Sequence, residues 1–207
     1  MIKGIAVAMV AALASSADAN IVVNGSFEDP SITSGFVAYF AGSTDITGWT
    51  VTAPTSAQGV DIVNAVQFGN PAWAVDGIQS VELAGTPGRG GVEQALPTTP
   101  GAGYVLSFAL SSQSLSPIAG GVSVFWNGEL VETLTSPEFG TWQTFTYNLI
   151  GGPGASSLLA FSGNIDGFQG TLLDNVVVVV PSPGAAAMLA AALVPTARRR
   201  RWPDSRG

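Results

Sequence analysis

Residues 172–180, Leu-Leu-Asp-Asn followed by five valines, constrain this chain more than any other stretch. Their β-branched density predicts a strand, and their near-continuous apolarity predicts one covered on both faces. The run is too short for a membrane-crossing helix, which needs roughly 20 apolar residues. Asp174 and Asn175 interrupt it at its entrance, so a charge is carried close to a core strand and needs a partner there. Pro181-Ser182-Pro183-Gly184 then stops the strand. A folded body is therefore expected to end near Val180, with a tail of different chemistry beyond it.

Upstream, from Asn20 to Val180, apolar residues alternate or cluster in short runs bounded by Gly, Pro, Asn and Ser, with no helical period. Tyr104, Leu106, Phe108 and Leu110 share one face of a strand, against Val105, Ser107 and Ala109 on the other. Phe145, Tyr147 and Leu149 alternate with Thr144, Thr146 and Asn148. Asn127-Gly128, between residues 122–126 and 129–134, is the strongest hairpin signal in the chain. Residues 60–63, 80–83 and 158–161 supply further short strands, and the glycine-rich stretches 88–91 and 151–154 are loops. Short strands at this spacing predict an all-β fold, a two-sheet β-sandwich of jelly-roll type.

Charge and missing residue types exclude whole classes of function. Within this body the sole basic residue is Arg89, set against twelve acidic ones. That balance argues against nucleic-acid binding, whose affinity rests on Lys and Arg neutralising phosphates, and it is compatible with cation binding outside the cell. The chain has no histidine, hence no Ser-His-Asp triad and no imidazole base. It has no cysteine, hence no thiolate nucleophile, disulfide or thiolate zinc site. What remains is carboxylate chemistry or an oxygen-ligated hard cation such as calcium. Gly88-Arg89-Gly90-Gly91 lacks the Lys-Ser/Thr of a phosphate-binding loop and reads as a turn.

Both ends read as processing segments. Residues 1–19 carry Lys3, an apolar run over 5–14 and the small-x-small sequence Ala17-Asp18-Ala19, the pattern of a secretory signal peptide with a mature start near Asn20. Residues 181–207 begin with Pro181, Ser182, Pro183 and Gly184. A short Ala/Leu-rich run follows, and then Arg198, Arg199, Arg200 and Arg201, an order that leaves positive charge on the cytoplasmic side of a membrane. This tripartite end resembles the PEP-CTERM sorting signals of exosortase-processed bacterial surface proteins. The residue between the two prolines, glutamate in the usual signal, is Ser182 here. The resemblance implies a secreted protein placed at the cell surface or in the extracellular matrix, an exosortase-type processing enzyme as partner, and transient membrane contact through the tail. The other reading of the tail is a chance arginine run.

Within the body an ordered series of segments carries a second resemblance. Asn24-Gly25-Ser26-Phe27-Glu28 is followed by Asp45-Ile46-Thr47-Gly48-Trp49 and Val60-Asp61. Trp73-Ala74-Val75-Asp76-Gly77, Ser80-Val81-Glu82-Leu83, Tyr104-Val105-Leu106-Ser107-Phe108, Gly140-Thr141-Trp142 and Leu173-Asp174-Asn175-Val176 complete it. In this order they resemble the bacterial choice-of-anchor C proteins. Those are related to plant cell-wall domains of unknown function and, more distantly, to galactose-binding-like jelly rolls and xylan-binding carbohydrate modules. The family's usual Leu-Asp-Leu-Asn-Gly is Val81-Glu82-Leu83-Ala84-Gly85 in this chain.

The resemblance implies a galactose-binding-like sandwich and a structural calcium, Ca2+, between Glu28 and Asp174, with backbone carbonyls completing an oxygen shell. The other reading of the pair is two carboxylates bonded to backbone N–H groups or solvent. Sugar binding needs an exposed aromatic face beside polar groups. Trp49, Trp126 and Trp142 fall in strand-like stretches and are assigned to the core. Trp73, Phe68, Tyr39 and Phe40 fall in loop-rich segments and are the stacking candidates, Trp73 with Asp76 as its polar neighbour. The expected function is a non-catalytic module for extracellular polysaccharide. A structural surface or matrix protein without a sugar site is the alternative, and a carboxylate-based glycoside hydrolase the outsider.

Overall fold

In a computed structural model, residues 19–85, 88–113, 120–166 and 170–181 are described. Of the expected sorting signal only Pro181 falls among them. Ser182, Pro183, Gly184 and the four arginines lie outside the described residues, as do residues 1–18.

Among the described residues the short alternating runs form eleven strands. They are β1 (Phe36–Phe40), β2 (Thr50–Thr52), β3 (Gly59–Asn64), β4 (Gln79–Glu82), β5 (Gly91–Pro97), β6 (Gly103–Ser112), β7 (Gly121–Trp126), β8 (Glu129–Thr135), β9 (Gln143–Ile150), β10 (Ser156–Gly163) and β11 (Thr171–Val179). One sheet has six strands in the order β1-β3-β4-β11-β6-β9, and the other five in the order β2-β5-β10-β7-β8, all antiparallel. This is the expected jelly-roll sandwich. Among the described residues the helical content is a single 3₁₀ turn, Pro71–Trp73. Asn127 and Gly128 turn the β7–β8 hairpin at φ 53° and 81°, values that suit Asn and Gly.

The core lies between the sheets. Phe108 meets Phe161 edge-on at 5.0 Å, and Trp49 packs on Phe27 at 5.3 Å. Tyr104, Leu106, Phe108 and Leu110 are all buried, as their alternation requires. Trp49 and Trp126 are core residues whose indole N–H groups reach the carbonyls of Asn24 (3.0 Å) and Ile150 (2.7 Å). Trp142 departs from expectation. It stands just before β9, outside the alternation that turns Phe145, Tyr147 and Leu149 inward, and it is only half-buried.

β11 occupies the middle of the larger sheet, between β4 and β6. Its coverage is less complete than expected. Leu172 to Asp174 are buried on both sides, but after a register shift between Asp174 and Val177 the side chains of Val177 and Val179 are half-exposed. Asn175 takes φ 50° at this bulge, a conformation Asn tolerates and valine does not. The segment that opens the body packs beside the same strand. Ile21 N–H donates to Val178 O (2.9 Å), Val178 N–H to Asn20 Oδ1 (3.0 Å) and Val176 N–H to Gly25 O (2.8 Å). A Cβ on Gly25 would fall far inside contact distance of the Val176 carbonyl oxygen, so glycine is required there.

Candidate functional site

The connection between β3 and β4, residues 65–78, lies across the outer face of the six-stranded sheet, and hydrogen bonds fix it at both ends. At its start Asn64 Oδ1 accepts from the N–H groups of Val66 and Gln67, while Asn64 Nδ2 donates to Ile32 O. At its end two carboxylates hold the main chain. Asp174 Oδ2 accepts from Val75 N–H (2.8 Å) and Asp76 N–H (3.0 Å), and its Oδ1 from Asn175 N–H (2.6 Å). Glu28 Oε1 accepts from Ile78 N–H (2.8 Å) and Gln79 N–H (2.7 Å). Gly77, at φ 80°, leaves room for that carboxylate, because a Cβ there would collide with Glu28 Oε1.

The charge at the entrance of β11 thus has three partners, all main-chain N–H groups. Asp174 is nevertheless fully buried. Burial pushes its pKa up to about 7, against the lowering effect of the three N–H donors and with a further upward contribution from the Asp76 charge.

Glu28 and Asp174 come together as expected, on one loop, but through backbone N–H groups. Among the described residues no group of three or more acidic side chains gathers to hold a metal. The arrangement is one of main-chain clamping, both carboxylates accepting from backbone N–H groups of the loop. A chelator is accordingly expected to leave the melting temperature of the purified protein unchanged. A drop of several degrees on adding EDTA, restored by calcium, would overturn this assignment.

So held, the loop presents aromatic side chains at the surface. Phe68 meets Trp73 edge-on at 4.9 Å and stacks against Phe36 of β1 at 6.2 Å and 14°. Phe36 and Phe68 remain 46% and 42% exposed, and Val66, Val75 and Ile78 around them are exposed as well. Trp73 is half-buried; its carbonyl accepts from Ser80 Oγ (2.6 Å), and Trp142 Nε1 donates to the neighbouring Ala72 carbonyl (2.8 Å). Asp76 is exposed three residues beyond Trp73. Tyr39 is a correction. It lies within β1, where alternation turns it into the sandwich, and at 9% exposure it belongs to the core. Phe40, at the end of the same strand, is exposed.

The sequence reading passed over two acids on the sheet beneath this loop. Val60 and Ile62, like Val81 and Leu83, point into the sandwich, so Asp61 and Glu82 point outward. The register sets Asp61 directly opposite Glu82 and carries the row on through Leu172 to Ser111. The Ser80 bond to Trp73 places the 3₁₀ turn over this face, one step along β4 from Glu82. Asp61 and Glu82 are each 4% exposed. Glu82 Oε1 accepts from Gly170 N–H (2.7 Å), and the Gln113 amide nitrogen donates to both carboxylate oxygens (2.7 and 3.1 Å). Among the described residues, Ser111 Oγ and Trp73 Nε1 are buried atoms without a hydrogen-bond partner. Alternation in sequence marks both acids as outward-facing; only the register makes them neighbours.

Residues 20–179 match the family model described as "Protein of unknown function (DUF642)". No curated protein matches the chain. Among solved structures, TmCBM61 in complex with β-1,4-galactotriose superposes with a TM-score of 0.54 at 15% identity, covering 79% of this chain and 99% of that one. A family 16 carbohydrate-binding module gives 0.50 at 18% identity, over 77% of this chain and 99% of the other. The K1 cleaved adhesin domain of Lys-gingipain from Porphyromonas gingivalis W83 gives 0.50 at 17% identity, over 70% and 98%. At these identities the likeness is one of fold.

Proposed function

For a chain that belongs to the DUF642 family, with the match running the length of the sandwich, we propose the function of a non-catalytic module that binds extracellular polysaccharide through the aromatic surface of residues 65–78. The observation that carries this reading is the Phe36–Phe68–Trp73 cluster, with Phe36 and Phe68 exposed, formed where β1 meets a loop pinned by hydrogen bonds to Asp174 and Glu28. Sugar rings bind by laying their apolar faces on aromatic ones, and a platform that is rigid before the ligand arrives loses little conformational entropy on binding. The sandwiches of carbohydrate-binding modules give the reading further support, as a likeness of fold.

A polysaccharide array probed with the purified protein tests this. Binding to at least one glycan is expected, weakened tenfold or more by Trp73→Ala or Phe68→Ala. A blank array would favour a structural surface or matrix protein without a sugar site. Release of reducing ends from the bound glycan would overturn the non-catalytic part. The choice-of-anchor C character and the delivery route belong to the same proposal: export by residues 1–19, then surface sorting by an exosortase-type enzyme acting near Pro181 to Gly184. Mass spectrometry of the protein recovered from its host, with an N-terminus near Asn20 and loss of the arginine cluster, is the expected result.

A further inference from the structure

We propose that this chain associates with a second copy of itself along β9, the two strands running antiparallel about a two-fold axis at Thr146 and joining two six-stranded sheets into one. A strand at the edge of a sheet offers unpaired main-chain N–H and C=O groups to any other chain, and folded proteins blunt such edges with brevity, charge or a bulge. Among the described residues four strands stand at edges, β1 and β9 in the larger sheet and β2 and β8 in the smaller. Three of them are guarded. β1 has five residues and β2 three, and the chain leaving β1 covers β2: Gly42 N–H donates to Val51 O (2.8 Å) and Val51 N–H to Ser43 O (2.9 Å). β8 carries Glu129 and Glu132 and a register shift against β7. β9 has none of these devices. Its eight residues, Gln143 to Ile150, include no charge and no proline, and they pair with β6 in unbroken register.

The main chain of β9 fixes which groups are on offer. Gly151 N–H donates to Ala102 O (2.8 Å), so alternation directs the main-chain groups of Phe145, Tyr147 and Leu149 to β6 and those of Thr144, Thr146 and Asn148 away from it. Among the described residues nothing bonds those outward groups. Ile150 O, next in the same row, already accepts from Trp126 Nε1 (2.7 Å). A two-fold at Thr146 suits this pattern. Thr146 then pairs with its own copy and Thr144 with Asn148, through free groups, and Ile150 is left outside. The same register keeps the inner faces of both copies on one side and sets Phe145 directly opposite Tyr147 of the other copy. Both rings are half-buried where they stack on Phe108 (5.8 and 6.1 Å), and cross-strand aromatic pairs stabilise a sheet. The strand is thus complementary to itself, as an isologous contact requires. Charge selects the same place. The body sets twelve acidic residues against Arg89, so two copies repel wherever acids face each other, and β9 is a long edge that brings no charge against charge.

Sedimentation of the full chain over a concentration series tests this. A monomer–dimer equilibrium is expected, tightened as salt rises from about 50 to about 500 mM, because salt screens the repulsion between two acidic bodies. Thr146→Glu, which sets like charges opposite each other at the axis, is expected to weaken association about tenfold or more. Thr146→Pro is expected to do the same by removing an outward N–H that no bond within the chain uses. Should Thr146→Pro fail to fold, Thr146→Glu decides, since Thr146 is exposed on the outer face. The chain has no cysteine, so Thr146→Cys gives a direct measure of register. Residues opposed at the axis have Cα atoms about 5.5 Å apart, and an interchain disulfide is expected under mild oxidation. Ser156→Cys, exposed on β10, is expected to cross-link about tenfold more slowly or less. A chain that stays monomeric at about 100 μM overturns the proposal. So does a dimer that Thr146→Glu leaves intact, because another surface then holds it, and so does one that dissociates as salt rises.

Discussion

The stability of this sandwich is expected to fall as the pH rises from about 4 to about 7, and Asp174→Asn is expected to remove most of that fall. The folded chain holds Asp174 at a pKa of about 7 because burial penalises its charge. The unfolded chain titrates the same group near 3.8. Between these values the folded state binds the proton and the unfolded state does not. The sign follows: the contribution is fully present below about pH 4 and is lost as the pH rises through 7. Its ceiling is on the order of 4 kcal/mol, at about 1.4 kcal/mol per unit of pKa. Asparagine keeps an oxygen for Val75 and Asp76 N–H and turns its amide toward Asn175 N–H, at a cost of about 1 kcal/mol that does not vary with pH. Urea melts of both proteins at pH 5 and pH 8 measure the effect. Parallel stability curves for the two proteins would refute it.

Gly25→Ala is expected to cost about 3 kcal/mol or more. The new Cβ would be driven into the Val176 carbonyl oxygen, and neither side can withdraw cheaply. Gly25 O is already bonded to Val176 N–H, and Val176 is buried in the bulged half of β11. Moving the loop breaks that bond; moving the strand disturbs the centre of the larger sheet. Gly103→Ala is the matched control, since nothing lies within 4 Å of its Cβ position. A shift of the urea midpoint by Gly25→Ala no larger than that by Gly103→Ala would show that this contact does not constrain the fold.

Strand period and turn chemistry made the sandwich readable in advance, because alternation reports directly which side chains face the core. That is why Tyr104 to Leu110, the Asn127-Gly128 hairpin and the buried Trp49 and Trp126 fall where the residues imply. Tyr39 reads as a loop residue because glycine, serine and proline crowd the residues before it and hide the alternation of a five-residue strand. Trp142 reads as a core residue because a strand pattern continues just past it. The outward Asp61 and Glu82 illustrate a deeper limit. Period assigns a residue to a face, but its neighbour on the next strand is set by register, and register is fixed by loops whose course the local sequence does not encode. The clamp of Asp174 on residues 75 and 76 is of the same kind: a demand for a partner is visible in the sequence, and the partner's identity is not.

The placement of β11 has a consequence for how this protein can be made. The last strand in the sequence sits between β4 and β6, so a chain growing from its N-terminus holds two partial sheets with unpaired edges until residue 179 is free to insert. Residues 20–25 wait for the same strand, since their main-chain partners are Val176 and Val178. The larger sheet therefore cannot be completed until residue 179 has emerged, and a nascent chain stalled before that point is expected to be protease-sensitive. Such a chain can be carried some distance unfolded before its final strand commits it.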